Sequence, residues 1–332
     1  MTLEALVKRN MEHVFDLVIA GELNLDLILY GLPAEMPTER ELLAADFVVT
    51  LGSSSAIVAY NLASMGMRVS FHSVIGDDSF GSLACERLAE SGVDIAGVRM
   101  RAGRTTGVTV MLPHGAERHI LTYPGTIAEL RVADLDVERL AQAKHLHLCS
   151  LYLQRCLHTG LPDLLRNLKE RGMTISLDPN DDPEDQWGSP LREILPWVDI
   201  FMPNESELLR IARTDDFDEA VLRVERLVPT LVVKRGGRGA LVASGGDRHH
   251  APGLRLENVV DTIGAGDSFD AGFLRAFLGG IDLQGAARAG NISGALSTQG
   301  HGGTEAFRSK AVREAFLQAN DPADLLRWKR RS

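Results

Sequence analysis

The stretch Asp261-Thr262-Ile263-Gly264-Ala265-Gly266-Asp267-Ser268-Phe269-Asp270-Ala271-Gly272-Phe273-Leu274 holds the residue types best suited to chemistry. It reads as a small-residue turn between extended residues 254–260 and an apolar helix over 269–278. A helix start offers unpaired N–H groups and the positive end of the helix dipole, and Gly-Ala-Gly lets an anion approach those groups closely. Asp267 sits at the same point, where an ionised carboxylate can take a proton from a substrate hydroxyl beside a bound phosphate. The same residues also suit a plainer role, with Asp267 capping the helix and the glycines making a tight turn. Two other phosphate motifs are absent. Gly76-Asp77-Asp78-Ser79-Phe80-Gly81 has the spacing of a P-loop but runs on into Ser82-Leu83, and Phe269 stands where a dinucleotide fingerprint needs its third glycine.

The turn at 261–269 resembles the C-terminal signature of the PfkB (ribokinase-like) carbohydrate kinase family, and the resemblance spans nearly the whole chain. Gly21-Glu22-Leu23-Asn24-Leu25-Asp26 is similar to that family's first-strand motif. Residues 52–66, followed by Gly76-Asp77-Asp78-Ser79-Phe80-Gly81, resemble its N-terminal signature. Asn204-Glu205-Ser206-Glu207 resembles its Asn-x-x-Glu motif, and Val233-Lys234-Arg235-Gly236-Gly237-Arg238-Gly239-Ala240 its nucleotide-phosphate strand and turn. Any one of these is weak alone; their order makes them specific.

The resemblance implies an ATP-dependent phosphotransferase acting on a primary hydroxyl of a sugar or sugar derivative. Asp267 would be the general base, and the N–H groups of Gly264, Ala265 and Gly266 the anion hole for the transferred γ-phosphoryl. Positioning and charge stabilisation dominate such a transfer. Asn204 and Glu207 would organise Mg2+ through its waters, while the same pair also fits an N-cap with a first-turn glutamate. Lys234, Gly236 and Gly239 would lie along the nucleotide, Lys234 fitting a strand-end surface lysine equally well. Asn291 would approach the adenine or pack between helices. Asp261, with the Ile263 carbonyl and the 300–303 loop, resembles a potassium site.

On the acceptor side, Asn24 and Asp26 are two residues apart. They therefore share one face of an extended strand and can bind neighbouring hydroxyls. Gly52 and Ser53 would border them, although Ser53, Ser54 and Ser55 can also cap the following helix. The chain departs from the family at Ser53, where a second glycine is usual, and at Ile57, where a hydroxyl-binding Asn is usual. Asp178-Pro179-Asn180 and Trp187 resemble a stretch in some sugar-kinase branches, and Asn180 would reach the site. Arg104 and Arg118 can read a phosphate or carboxylate on the acceptor, or lie on a solvated strand face. Two other functions remain open: a nucleoside kinase of the same family, with Ile57 and Trp187 compatible with a base pocket, and a catalytically inactive nucleotide-binding regulator.

Positioning these groups requires a rigid scaffold. Apolar runs at 17–20, 69–75, 145–149, 173–178, 198–202, 231–234 and 240–243 read as strands, several without polar alternation, as in a sheet covered on both faces. Helical patterns fall near 53–65, 80–91, 133–142, 161–171 and 204–227, then 266–279, 282–298 and 309–318. The alternation predicts an α/β fold of three layers, αβα, with a mainly parallel central sheet. Residues 23–50 and 98–125, broken by turns at Gly31, Pro33, Pro37, Gly103, Gly107, Gly115 and Gly125, read as a small β-sheet lid on a single domain covering 1–332.

Composition narrows the class further. With 332 residues, 45% apolar, 24% charged and a net charge of −10, the chain is an ordinary globule, and its acidity argues against nucleic-acid or anionic-membrane partners. Cys85, Cys149 and Cys156 form no CxxC pair, which fits a reducing cytoplasm. Glu4, Lys8, Arg9, Glu12 and Asp16 interrupt any leader-like apolar run. Lys329-Arg330-Arg331 reads as a solvated helix end. The resemblance adds a possible homodimer through the lid.

Overall fold

The computed structural model of the protein describes residues 13–114 and 117–326. Glu4 through Glu12, the Gly115 turn and the Lys329-Arg330-Arg331 end lie outside the described residues. In chain order the strands are β1 (Leu17–Ala20), β2 (Leu25–Tyr30), β3 (Asp46–Leu51), β4 (Val69–Gly76), β5 (Asp94–Arg101), β6 (Val108–His114), β7 (Glu117–Tyr123), β8 (His145–Leu148), β9 (Thr174–Leu177), β10 (Ile200–Phe201), β11 (Thr230–Lys234), β12 (Ala240–Ser244) and β13 (Asp247–Ala251). The longer helices are α1 (Ser54–Ser64), α2 (Ser79–Ala89), α3 (Leu161–Glu170), α4 (Glu205–Ala212), α5 (Phe217–Val224), α6 (Ala265–Leu278), α7 (Leu283–Ser297) and α8 (Lys310–Asn320).

Nine strands form the main sheet in the order β13-β12-β11-β10-β9-β8-β1-β4-β5. Pairing is parallel from β11 across to β5, and β12 and β13 close one edge antiparallel. The unbroken apolar runs have the expected cause: side chains alternate between two cores. Leu17 and Ile19 of β1 join Val58, Leu88, Phe273 and Ala286 from the helices of one layer. Val18 and Ala20 join Leu165, Leu208 and Val221 from the other. The fold is the three-layer α/β arrangement. Among the described residues no helix is long and apolar enough to cross a membrane.

The lid is a four-stranded sheet in the order β3-β2-β6-β7. Its second segment starts later than the sequence suggests, because β5 pairs with β4 through Arg101 and places residues 98–101 in the main sheet. The helix expected over 204–227 is two helices: Arg213 takes a left-handed φ of 55° and the Asp216 side chain caps the second one. Within 133–142 the helix is reduced to a 3-10 turn at Val132–Asp134 and one α-helical turn, Val137–Leu140. Residues 254–260 form no strand.

Candidate active site

β1, β8, β9, β10 and β11 end on one rim of the sheet, the usual place for ligands in open parallel sheets. Glu22 and Asn24 follow β1, Ser150 follows β8, Asp178 and Asn180 follow β9, Asn204 follows β10, and Lys234 ends β11. The turn before α6 comes down onto this rim. Gly264 is its N-cap with φ +72°, and a Cβ there would lie 2.4 Å from the Gly303 Cα, so both conformation and space demand glycine. At Gly266 the nearest atom to an added Cβ is Lys234 Nζ at 3.7 Å, leaving room on its outer side. The Ala265 N–H bonds the Thr262 carbonyl at 3.3 Å, whereas those of Gly266 and Asp267 meet no backbone carbonyl among the described residues. The Gly264 N–H likewise meets no backbone carbonyl among the described residues, so of the three expected donors only that of Ala265 is engaged, and that of Asp267 joins them.

Asp267 is buried beside this turn. Burial pushes its carboxyl up to about 6, with Asp178 adding and Lys234 and the Ser54 hydroxyl opposing. Desolvation therefore outweighs the helix dipole, and the group still ionises below neutral pH. Beneath it, Lys234 Nζ pairs with Asp178 Oδ2 at 2.6 Å and Asp270 Oδ2 at 3.1 Å. Lys234 is buried between two carboxylates rather than being a surface lysine. A continuous polar chain runs from there to Glu22, after β1. Asn180 Nδ2 donates to Asp178 at 3.3 Å, Asn180 Oδ1 accepts from the Ser150 N–H at 2.7 Å, and the Ser150 and Ser55 hydroxyls donate to Glu22 at 2.8 and 2.7 Å.

Asn24 and Asp26 come together as their spacing predicts. An added Cβ on Gly52 would lie 2.1 Å from Asp26 Oδ1 and 2.9 Å from Asn24 Nδ2, so Gly52 is the floor against which both side chains rest. Asp26 accepts no hydrogen bond from the described residues, and burial, with Asp267 and Asp261 adding, pushes it up to about 8. Ser53, where the family resemblance leads one to expect glycine, takes φ +63°, a conformation natural to glycine. Its hydroxyl donates to the Glu22 carbonyl at 2.8 Å and accepts from the Ala56 N–H at 3.1 Å, capping α1. Ile57 is buried against Gly303, its Cδ1 2.6 Å from where a Cβ there would stand. Trp187 packs edge-on to Tyr152 in the second core and donates to Asp185.

At the end of β10, Asn204 and Glu207 close on each other. Glu207 Oε2 accepts the Asn204 N–H at 2.8 Å, Oε1 accepts its Nδ2 at 2.5 Å, and Asn204 Oδ1 accepts the Glu207 N–H at 2.9 Å. That is a capping box on α4. Among the described residues no three His, Cys, Asp or Glu side chains group to hold a metal. Such a site suits Mg2+ carried by substrate phosphates and water rather than an all-protein cage. Gly236 and Gly239 have φ +56° and +90°, and a Cβ on Gly239 would meet the Ala251 carbonyl at 2.0 Å. Asn291 Nδ2 donates to that carbonyl and to the Pro252 carbonyl at 3.0 and 3.1 Å, tying α7 to the same turn.

Asp261 is engaged by the protein itself: Tyr30 Oη donates to Oδ2 at 2.5 Å, the Gly302 N–H to Oδ2 at 3.0 Å, and the Ile263 N–H to Oδ1 at 2.9 Å. Three of the carboxylate's roughly four acceptor positions are thus filled by the protein. Arg104 pairs with Glu129, away from the cleft, while Arg118 reaches across it to donate to Thr262 Oγ1 at 3.3 Å.

Sequence reasoning passed over Glu22 and Asp270. Both lay inside quoted motifs, and Asp270 is one helical turn after Asp267, a spacing that places the two on one face.

Comparisons with known proteins bear on the fold and the family. Residues 14–310 match the pfkB family carbohydrate kinase. The ATP-dependent ribose-1-phosphate kinase of Halopiger xanaduensis is 32% identical, covering 80% of this chain and 86% of its own. The 2-dehydro-3-deoxygluconokinase of Bacillus subtilis is 27% identical over 81% of this chain and 87% of its own. An E. coli structure titled as a ribokinase II in complex with ATP and Mg2+ superposes with a TM-score of 0.80 at 23% identity, over 92% of this chain and 100% of that one. The chain therefore belongs to the pfkB family of carbohydrate kinases.

Proposed function

We propose that this kinase transfers the γ-phosphoryl of ATP to a primary hydroxyl of a sugar or sugar derivative, with Asp267 as general base. One observation carries the reading: a buried carboxylate that ionises near pH 6 stands at the start of α6, directly beside free N–H groups and the open side of Gly266. Asn24 and Asp26 hold the acceptor on the lid side of the turn. Asp267 accepts the hydroxyl proton, the acceptor oxygen bonds to the γ-phosphorus, and the bond from that phosphorus to the bridging oxygen breaks, releasing ADP. The N–H groups of the Gly264–Gly266 turn, with that of Asp267, face the charge on the transferred group. Lys234, through Asp178 and Asp270, fixes the floor below the phosphates, and Gly236, Gly239 and Asn291 shape the turn along which the nucleotide lies. Mg2+ would neutralise phosphate charge, with Asn204 and Glu207 ordering its waters. No step is assigned to a monovalent cation at Asp261.

The relatives named for ribose 1-phosphate and for 2-dehydro-3-deoxygluconate support a sugar-derived acceptor. Three free thiols support a reducing cytoplasmic setting. Phe47, Leu121 and Tyr123 are exposed on the outer lid face and support pairing of two copies there. ADP release measured with Mg-ATP over neutral sugars, sugar phosphates, sugar acids and nucleosides tests the reading. Acceptor-dependent release with sugars supports it; release only with nucleosides, or none, rejects it.

A further inference from the structure

Three consecutive serines stand at the start of α1, and each takes a different partner. Ser53 is the N-cap, its hydroxyl donating to the Glu22 carbonyl at 2.8 Å and accepting from the Ala56 N–H at 3.1 Å. Ser55 turns to the buried Glu22 carboxylate, to which its hydroxyl and N–H donate at 2.7 and 3.2 Å. Gly21 permits that approach, since a Cβ there would stand 2.0 Å from the Ser55 Oγ. The Ser150 hydroxyl donates to the same carboxylate at 2.8 Å. The first turn of α1 is therefore clamped on both sides of Ser54, which is itself half-buried. Helix periodicity then fixes where Ser54 faces. Ser54, Ile57 and Asn61 are spaced as one stripe of α1. Asn61 Nδ2 donates to the Ser268 hydroxyl at 2.9 Å and to the Gly303 carbonyl at 3.1 Å. Ile57 Cδ1 lies 3.3 Å from where a Cβ on Gly264 would stand. The stripe thus lies along the start of α6, and its third member meets the residue between those two contacts: the Ser54 hydroxyl donates to the Asp267 carboxyl.

We propose that Ser54 is a positioning residue for the phosphoryl transfer, its hydroxyl holding one oxygen of Asp267 so that the other meets the acceptor hydroxyl. The inference rests on the kinase reading and adds a residue to it. The terminal torsion of an aspartate is broad, so its two oxygens exchange places readily. A donor on one oxygen removes that freedom, and the clamp from Glu22 keeps the donor itself in place. Ser54 gives up no proton: the acceptor's proton passes to the oxygen of Asp267 that Ser54 leaves open. A hydroxyl that donates to a carboxylate also favours its ionised form, the form a base needs. Charged and titratable groups face Asp267 from the other elements around it: Glu22, Asp26, Cys149, Asp178 and Lys234, with Asp270 on its own helix. Removing the Ser54 hydroxyl leaves all six in the chain, so its effect is separable from theirs.

Carboxyl titration by NMR of the full chain, carbon-13-labelled at aspartate, reads the base directly, with the Asp267 resonance identified by its loss in Asp267→Asn. In Ser54→Ala the Asp267 midpoint rises by about half a pH unit or more, because a donor to the ionised form is gone. The acid limb of acceptor-dependent ADP release moves with it. The plateau kcat falls about threefold or more, while the KM for ATP stays within about twofold. Ser54→Thr keeps the hydroxyl and returns both midpoint and plateau to the wild-type values. Melting temperatures within about 2 °C of wild type show that the fold is kept, so a shifted midpoint is not a structural loss. An unmoved midpoint or an unchanged plateau in Ser54→Ala, or a change that Ser54→Thr does not reverse, overturns the proposal. Failure of the kinase reading appears separately, as absence of ADP release with every acceptor, while the carboxyl titration still decides whether Ser54 holds Asp267.

Discussion

Tyr30, the last residue of lid strand β2, donates its phenolic hydroxyl to Asp261 at 2.5 Å, and Asp261 is three residues before Gly264. The bond ties the lid to the segment that leads into the glycine turn before α6. The same carboxylate accepts from Gly302, whose loop packs on Thr50 and Ile28 of the lid. Burial and the neighbouring Asp261 charge hold the phenol protonated, as a donor needs.

Tyr30→Phe removes one charged hydrogen bond, a loss of about 1.5–3 kcal/mol where such bonds are desolvated. The expected result is a fall of about tenfold in kcat/KM for the acceptor with the KM for ATP within about twofold. Steady-state kinetics measures the effect, and an unchanged kcat/KM would show that this bond does not position the acceptor.

The two turn glycines separate stability from chemistry. Gly264→Val forces a branched residue into φ +72° against Gly303, a strain of about 1–3 kcal/mol, so the melting temperature and turnover both fall. Gly266 has no positive φ and only Lys234 Nζ nearby, so Gly266→Val keeps the melting temperature within about 2 °C. Its kcat nevertheless drops at least tenfold, because the branch occupies the space where the phosphoryl must come. Thermal melts beside kinetics check both; an active Gly266→Val would mean that the transferred group lies elsewhere.

Much of this was legible beforehand, for identifiable reasons. The apolar runs of β1, β4 and β11 could be read because both faces are covered, and the two-residue spacing of Asn24 and Asp26 gave their shared face directly. Less visible were features set by tertiary contact. β5 carries polar residues because it is an edge strand, so its last residues looked like lid. The split between α4 and α5 depends on Arg213 adopting a left-handed conformation that its sequence does not demand. Lys234 looked like a surface residue because Asp178 and Asp270, which bury it, come from 56 and 36 positions away. The upward shift of Asp267 was not visible for the same reason: the dipole is local, but the desolvation comes from the whole rim.

The pH dependence follows from two buried carboxyls. Asp267, raised to about 6, works only when ionised, so kcat falls as pH drops through about 6. Asp26, raised to about 8 in the unliganded protein, accepts acceptor hydroxyls on both oxygens only after losing its proton. The kcat/KM for the acceptor therefore keeps rising to about pH 8 while kcat is already level. Profiles from pH 5 to 9 check this. A kcat independent of pH between 5 and 7 would remove Asp267 from the proton transfer.

Asp267→Asn tests the account most directly. The amide keeps the shape of the carboxyl and sheds a buried charge, so the melting temperature at pH 7 stays equal or rises, and ATP affinity holds within about twofold. The variant cannot take the acceptor proton, and kcat, followed as acceptor-dependent ADP release, is predicted to fall about 10²–10⁴-fold with the acid limb near pH 6 lost. A folded variant that binds ATP and retains wild-type kcat would contradict the assignment of Asp267 as the base.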